Sequence, residues 1–127
     1  MKLYALAYVQ SPSRSLAFYE LAFGMRRRFL ADGGTYGELD TPGVVVGFVA
    51  ESQARANVPR GHRPNTLAGE PAGFEFGFEV EDLEAAWAKA VQAGAQPYAE
   101  PATKPWGQRI AYVRDPDGIL VELAAKA

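Results

Sequence analysis

The sequence predicts an α+β fold built from two consecutive β-α-β-β-β modules. Its 127 residues, 48% of them hydrophobic, are enough for a domain with its own core. A strand, a helix and three further strands are indicated in residues 1–50, and the same order returns in residues 73–127. Because one module alone would have too small a core, we expect a single pseudo-symmetric domain over residues 1–127.

The first module begins with a short aromatic strand over residues 3–9, which ends at a polar turn. Leu16, Tyr19 and Phe23 then follow at helical spacing, and Gly24 ends the helix. Three more strands are separated by glycine-containing turns. They are predicted at residues 28–31, 35–39 and 44–50.

Residues 51–72 separate the modules and read as a linker or long loop, because prolines and glycines recur there without hydrophobic periodicity. The second module repeats the pattern of the first. Its strands are predicted at residues 74–80, 96–100, 109–113 and 119–124, and its helix at residues 83–93.

The repeat also aligns individual positions. Glycines that end the helices or form the turns match between the modules, as do the ends of the first strands. These matches are Val9 with Val80, Gly24 with Gly94, and Gly43 with Gly118. On this frame Tyr4 is the counterpart of Glu75, and Gly47 is the counterpart of Glu122.

Composition excludes several classes of protein. The chain has no cysteine, so a disulfide scaffold, a cysteine-based zinc site and a thiol nucleophile are impossible. Its net charge of −2 gives no overall positive field for nucleic acid. Apolar runs have the length of strands, well below the ~20 residues that cross a bilayer, and the N-terminus lacks a signal-peptide pattern. We therefore expect a cytoplasmic protein without nucleic-acid or membrane partners.

Three stretches resemble the vicinal oxygen chelate superfamily, which includes glyoxalase I, extradiol dioxygenases, fosfomycin-resistance enzymes and bleomycin-resistance proteins. The resemblance implies paired β-α-β-β-β modules that form a curved mixed sheet around a cavity, commonly completed by a homodimer. It does not by itself imply a reaction, because the superfamily hosts several chemistries as well as drug sequestration. The stretches are SLAFYELAFG at 15–24, FEVEDLEAAW at 78–87, and WGQR at 106–109 leading to DPDGILVEL at 115–123.

The resemblance also implies where a divalent metal would bind, namely on the first and last strands of each module. Glu75 and Glu122 match two of these positions, whereas Tyr4 and Gly47 supply poor ligands or none. A catalytic site normally needs at least three protein ligands. We therefore expect an incomplete metal site and no cofactor, with a divalent metal held by Glu75 and Glu122 as the alternative.

Strand alternation identifies candidate ligand contacts independently of the resemblance. In residues 74–80 the phenylalanines share one face, which we expect to be core, and Glu75 shares the other face with Gly77. The first strand places Tyr4 and Tyr8 together on one face. Two tyrosines offer flat apolar area with hydroxyl groups, as in a small-molecule pocket, although core packing is also compatible with the pattern.

Glu122 lies inside an apolar strand, where a carboxylate is costly to bury unless it is paired, protonated or bound to metal. A salt bridge with Arg109 or Arg114 is one alternative. If Glu122 instead faces Glu75, one pKa of the pair should rise, leaving a shared proton for a ligand carbonyl or amine.

Trp106 and Arg109 combine an aromatic ring with a guanidinium group, a pair suited to stacking and to anion recognition. The alternative is a turn between strands in which Trp106 is a hydrophobic cap. The only histidine, His62, lies in the proline- and glycine-rich linker and is expected to be solvated.

These observations favour a small-molecule binding protein that sequesters an aromatic or amphipathic ligand. Tyr4, Tyr8, Glu75, Trp106, Arg109 and Glu122 are its expected contacts. The alternative is a metal-dependent lyase, isomerase or dioxygenase that uses Glu75 and Glu122.

Overall fold

A computed structural model describes residues 1–127 and contains eight strands and three helices. The longest helix has 12 residues, and none of the three has the length and apolar character needed to cross a membrane. The elements in chain order are β1 (Tyr4–Val9), α1 (Pro12–Phe23), β2 (Arg27–Leu30), β3 (Tyr36–Leu39), β4 (Val45–Ala50), α2 (Glu51–Asn57), β5 (Glu75–Val80), α3 (Leu83–Gln92), β6 (Gln96–Thr103), β7 (Arg109–Arg114) and β8 (Leu120–Ala125).

The chain divides into two compact units, Met1–Asn65 and Thr66–Ala127. Each unit contains one four-stranded sheet. The strand order is β1-β4-β3-β2 in the first sheet and β5-β8-β7-β6 in the second. In each sheet the first and last strands of the module pair in parallel, and the remaining pairs are antiparallel. The predicted α+β fold with its repeated β-α-β-β-β order is confirmed.

Helix α1 covers the apolar face of the first sheet. Ser11 caps the helix, because its side-chain oxygen accepts a hydrogen bond from the Arg14 N–H at 3.2 Å. The fully buried ring of Tyr19 packs on Phe48 of β4, with ring centroids 5.3 Å apart. Leu16 lies so close to Gly37 of β3 that a Cβ at this glycine would be 2.7 Å from Leu16 Cδ1. A side chain at position 37 would therefore force the buried side chain of Leu16 to move.

Helix α3 has the same place in the second unit, packing on β6, β7 and β8. The Asp82 side chain accepts a hydrogen bond from the Ala85 N–H at 3.1 Å and so caps the helix. Val121 and Leu123 of β8 are fully buried, and Phe76 of β5 is buried beside them in register with Val121. Strand alternation thus predicted the core face correctly, which leaves the opposite face for polar residues.

Two expectations about the ends of elements are wrong. Phe74 is 58% exposed and precedes β5, so it does not belong to the core. Residues 51–57 form helix α2 rather than a loop. This helix buries only Ala54, so the sequence has no apolar stripe that would indicate a helix.

Candidate functional site

The outward face of the second sheet, opposite the buried apolar face, brings together polar side chains from β5, β7 and β8. Glu122 lies in register with Gly77 on one side and with Tyr112 on the other. Glu75 lies on the same face, two residues before Gly77. Gly77 adds no side chain to this face, and the carboxyl groups of Glu75 and Glu122 come within hydrogen-bonding distance of each other.

The two carboxyl groups form a hydrogen-bonded pair. This hydrogen bond raises the pKa of Glu75 from 4.5 to about 7; burial and the charge of Glu122 act in the same direction, and a hydrogen bond with Tyr112 opposes them. Below about pH 7, Glu75 therefore keeps a proton that it can share with Glu122. The direction agrees with the expected rise of one pKa in this pair.

Tyr112 completes this group, which we call the carboxyl cluster: Glu75, Glu122 and Tyr112. The Tyr112 hydroxyl donates a hydrogen bond to Glu122 Oε2 at 3.2 Å. Burial, followed by the charges of the two carboxylates, raises the pKa of Tyr112 to about 12. The phenol therefore stays protonated and acts as a donor. Sequence reasoning missed Tyr112, although a tight turn at residues 115–118 places it opposite Glu122 in an antiparallel pair.

Neither arginine suggested as a partner for Glu122 pairs with it, so that alternative is wrong. Arg109 binds Glu84 of α3, with Nη1 3.3 Å from Oε2. Arg114 is buried and donates to the carbonyl groups of Thr66, Gly69 and Gly118.

Trp106 and Arg109 lie apart from the carboxyl cluster. Trp106 is in the β6–β7 turn, is 70% exposed, and donates from Nε1 to Gln108 Oε1 at 3.1 Å. Arg109 and Tyr112 are three residues apart on β7 and so point to opposite faces of the sheet. Trp106 and Arg109 instead line a groove of about 500 Å³ that also includes Lys126.

In the first unit, Tyr4 and Tyr8 lie on the outward face of β1, as alternation predicts. Tyr4 is 47% exposed, and Lys2 Nζ lies 5.3 Å from the centre of its ring. Tyr8 is half-buried and contacts the ring of His62, with centroids 4.8 Å apart. The expectation that His62 is solvated is wrong, because its side chain is only 13% exposed and bonds to Glu51.

The first sheet also has a buried carboxylate that sequence reasoning missed. Glu38 of β3 lies in register with Gly47 and is 7% exposed. The Tyr36 hydroxyl donates to Glu38 Oε2 at 2.6 Å, and Arg28 Nε lies 3.6 Å from Oε1. Burial and the hydrogen bond to Glu38 raise the pKa of Tyr36 well above its usual range. The repeat could have indicated Glu38, because its counterpart in the second unit is Tyr112.

The donor groups do not fit a catalytic divalent metal. No three histidine, aspartate or glutamate side chains gather anywhere in the chain. At the carboxyl cluster the third group is Tyr112, a protonated phenol, and a catalytic ion normally needs three protein ligands and an open position. In the first unit, Gly47 has no donor, and a Cβ there would already lie 2.8 Å from the Tyr36 hydroxyl.

The sequence DPDG at 115–118 builds the turn that leads into β8. The Asp115 side chain accepts hydrogen bonds from the backbone N–H of Asp117 and Ile119, at 2.8 and 3.0 Å. Gly118 has a φ of +87°, and a Cβ there would lie 2.2 Å from the Thr66 carbonyl oxygen. This turn therefore fixes the start of the strand that carries Glu122.

A sequence model of one family matches residues 3–123, and that family is described as the "Glyoxalase/Bleomycin resistance protein/Dioxygenase superfamily". A Mycobacterium bovis protein named "Putative glyoxylase CFP32" is 31% identical over 118 residues, which are 91% of this chain and 40% of that protein. The chain thus spans about 40% of the length of the curated relatives that it matches.

Solved structures share the fold. A glyoxalase-related enzyme from Fulvimarina pelagi has a TM-score of 0.84 with 20% sequence identity, covering 99% of this chain and 88% of its own. A glyoxalase/bleomycin resistance protein/dioxygenase family enzyme from Burkholderia phytofirmans PsJN has a TM-score of 0.78 with 19% identity, covering 96% and 95%. At these identities the likeness shows the fold alone.

Proposed function

The chain belongs to the glyoxalase/bleomycin resistance protein/dioxygenase superfamily, and from this premise we propose that it binds an aromatic small molecule bearing an amine or carbonyl group. The carboxyl cluster carries this proposal. Its two carboxyl groups share a proton below about pH 7 and have no arginine partner, since Arg109 and Arg114 bond elsewhere. A ligand amine could bond to the anionic carboxylate, and a ligand carbonyl could accept the shared proton.

Two separate observations, one in each unit, support an aromatic ligand. Gly77 leaves open space over the sheet, since no atom lies within 4 Å of the position that a Cβ would take. In the first unit, Tyr4 and Tyr8 present partly exposed rings on an outward sheet face. Flat apolar surface with a small number of hydrogen-bonding groups is typical of small-molecule sites.

Titration with proflavine, a planar aromatic amine, tests the proposal by fluorescence and by calorimetry. We expect saturable binding that weakens about tenfold in Glu122→Gln, because the variant loses a charge-assisted hydrogen bond. Glu79→Gln is the matched control. It removes a carboxylate from the same face of β5 but outside the carboxyl cluster, so it should bind proflavine as the unmodified chain does.

Metal addition tests the enzyme alternative. A bound ion must stabilise the folded state, so thermal unfolding is measured with Ni²⁺, Zn²⁺, Mn²⁺ and Fe²⁺. We expect no increase in Tm that depends on the carboxyl cluster. A clear increase that disappears in Glu122→Gln would contradict the proposal and favour a metal-dependent lyase, isomerase or dioxygenase.

A further inference from the structure

His62 and Glu51 form a largely buried pair in the first unit. His62 Nε2 lies 2.8 Å from Glu51 Oε1, and both side chains are only 13% exposed. Glu51 is the first residue of α2, and His62 lies beyond the end of that helix. The pair therefore links the segment 58–65 to helix α2, which precedes it. This segment leads out of the first unit.

The pair also fixes which nitrogen of the imidazole carries the proton. An ionised carboxylate can only accept a hydrogen bond, so Nε2 of His62 must donate. Nδ1 of His62 is buried and has no protein group within hydrogen-bonding distance. A proton on Nδ1 would have no protein acceptor there, so these contacts favour the tautomer with the proton on Nε2.

The segment 58–65 contacts Tyr8 of β1 in two ways. The rings of His62 and Tyr8 are in edge-to-face contact, with an interplanar angle of 68°. Asn65 Nδ2 donates to the Tyr8 carbonyl oxygen at 3.0 Å. Because β1 is an edge strand, this carbonyl lies beside no further strand of the sheet. Tyr8 is thus held through both its backbone and its ring.

We propose that His62 is a positioning residue, which Glu51 orients so that its imidazole holds the ring of Tyr8 on the outward face of the first sheet. The functional part of this inference rests on the proposed function, because Tyr8 is a candidate contact for an aromatic ligand. Its geometry is independent of that function. Glu51 acts on Tyr8 through His62, and substitutions at either residue should alter the same ring.

Nitrogen-15 NMR of the single histidine tests the first step. We expect the spectrum of the unmodified chain to show a protonated Nε2 and an unprotonated Nδ1. Glu51→Ala removes the acceptor and should give a mixture of the two neutral forms. Glu51→Gln keeps an oxygen that can accept the same hydrogen bond, so it should restore the single form.

Fluorine-19 NMR tests the second step in a chain labelled with 3-fluorotyrosine. The chain has six tyrosines, and the Tyr8 signal is assigned by its loss in Tyr8→Phe. We expect this signal to shift in Glu51→Ala and in His62→Gln, while the other five signals keep their positions and so report an intact fold. Glu51→Gln should leave the Tyr8 signal in place. Arg55→Gln should do the same, because it removes only the longer 3.9 Å contact of Glu51.

The inference is overturned if the Tyr8 signal is unchanged in both Glu51→Ala and His62→Gln, or if Glu51→Gln disturbs it as much as Glu51→Ala does. Proflavine binding is measured on the same samples. If the proposed function also holds, Glu51→Ala should weaken binding about fivefold, the size expected for a misplaced aromatic contact. Failure of the unmodified chain to bind proflavine would contradict the proposed function alone, since the NMR results need no ligand.

Discussion

Gly47 and Glu122 hold equivalent places in the two sheets, yet one has no side chain and the other has a carboxylate. Gly47 lies in register between Leu6 and Glu38, and Glu122 lies between Gly77 and Tyr112. In the first sheet the Tyr36 hydroxyl occupies the space above the glycine and bonds to Glu38. Each unit therefore has a tyrosine bonded to a carboxylate, but both side chains lie on β3 in the first sheet, whereas they lie on β7 and β8 in the second.

The pair at Glu75 and Glu122 should make stability depend on pH. The pKa of Glu75 is raised from 4.5 to about 7, so the folded state binds more protons than the unfolded state between these values. The free energy of unfolding should therefore fall as pH rises from about 4.5 to 7. Because Glu75 is exposed to solvent, we expect a loss on the order of 1 kcal/mol, less than the full shift would give.

Urea unfolding across this pH range measures the effect, with Glu75→Gln as the comparison. The variant lacks the titrating carboxyl group at position 75. The difference between the two plots of unfolding free energy against pH therefore gives the contribution of Glu75 without that of the other carboxylates. Parallel curves for the two proteins would contradict the prediction.

Gly118→Ala should destabilise the second unit strongly. Its Cβ would overlap the Thr66 carbonyl, and its φ of +87° is unfavourable for alanine. We expect a loss of about 3 kcal/mol. Gly33→Ala is the matched control, because Gly33 has a nearly identical φ of +86° and open space around it. Its loss should be about 1 kcal/mol, and equal losses in the two variants would show that the overlap is unimportant.

Gly47→Ala and Tyr36→Phe should be energetically coupled. A Cβ at position 47 would lie 2.8 Å from the Tyr36 hydroxyl oxygen, so removing that oxygen should make the alanine less costly. A double-mutant cycle by chemical denaturation should give a coupling of about 1 kcal/mol in the favourable direction. Additive losses would mean that Leu6, the other close neighbour, absorbs the change.

Arg114→Lys should loosen residues 66–69. The guanidinium group bonds to the carbonyls of Thr66, Gly69 and Gly118 at once, and a single ammonium group cannot reproduce this geometry. We expect a loss of about 2 kcal/mol and faster amide exchange in this segment. Arg109→Lys, at an exposed ion pair with Glu84, should lose less than about 1 kcal/mol. Similar losses for the two variants would contradict the role given to Arg114.

The strands could be predicted from the sequence because apolar residues alternate along them and glycines mark their ends. Glu75 and Glu122 could be paired because the repeat gives their register. Helix α2 could not be predicted from the sequence, since it buries little beyond Ala54. The contact of His62 with Glu51 could not be predicted either. It depends on the backbone conformation of the segment after α2, which no residue pattern indicates.

The parallel pairing of the first and last strands in each module also bears on folding. During synthesis β1 emerges with its apolar residues well before its partner β4, whereas β2, β3 and β4 can form antiparallel pairs as they appear. The chain between β1 and β4 must close a long loop, which slows that step. We therefore expect the antiparallel hairpins to form early and the β1–β4 contact to form late, so that β1, like β5 in the second unit, stays unpaired for longer than the other strands of its sheet.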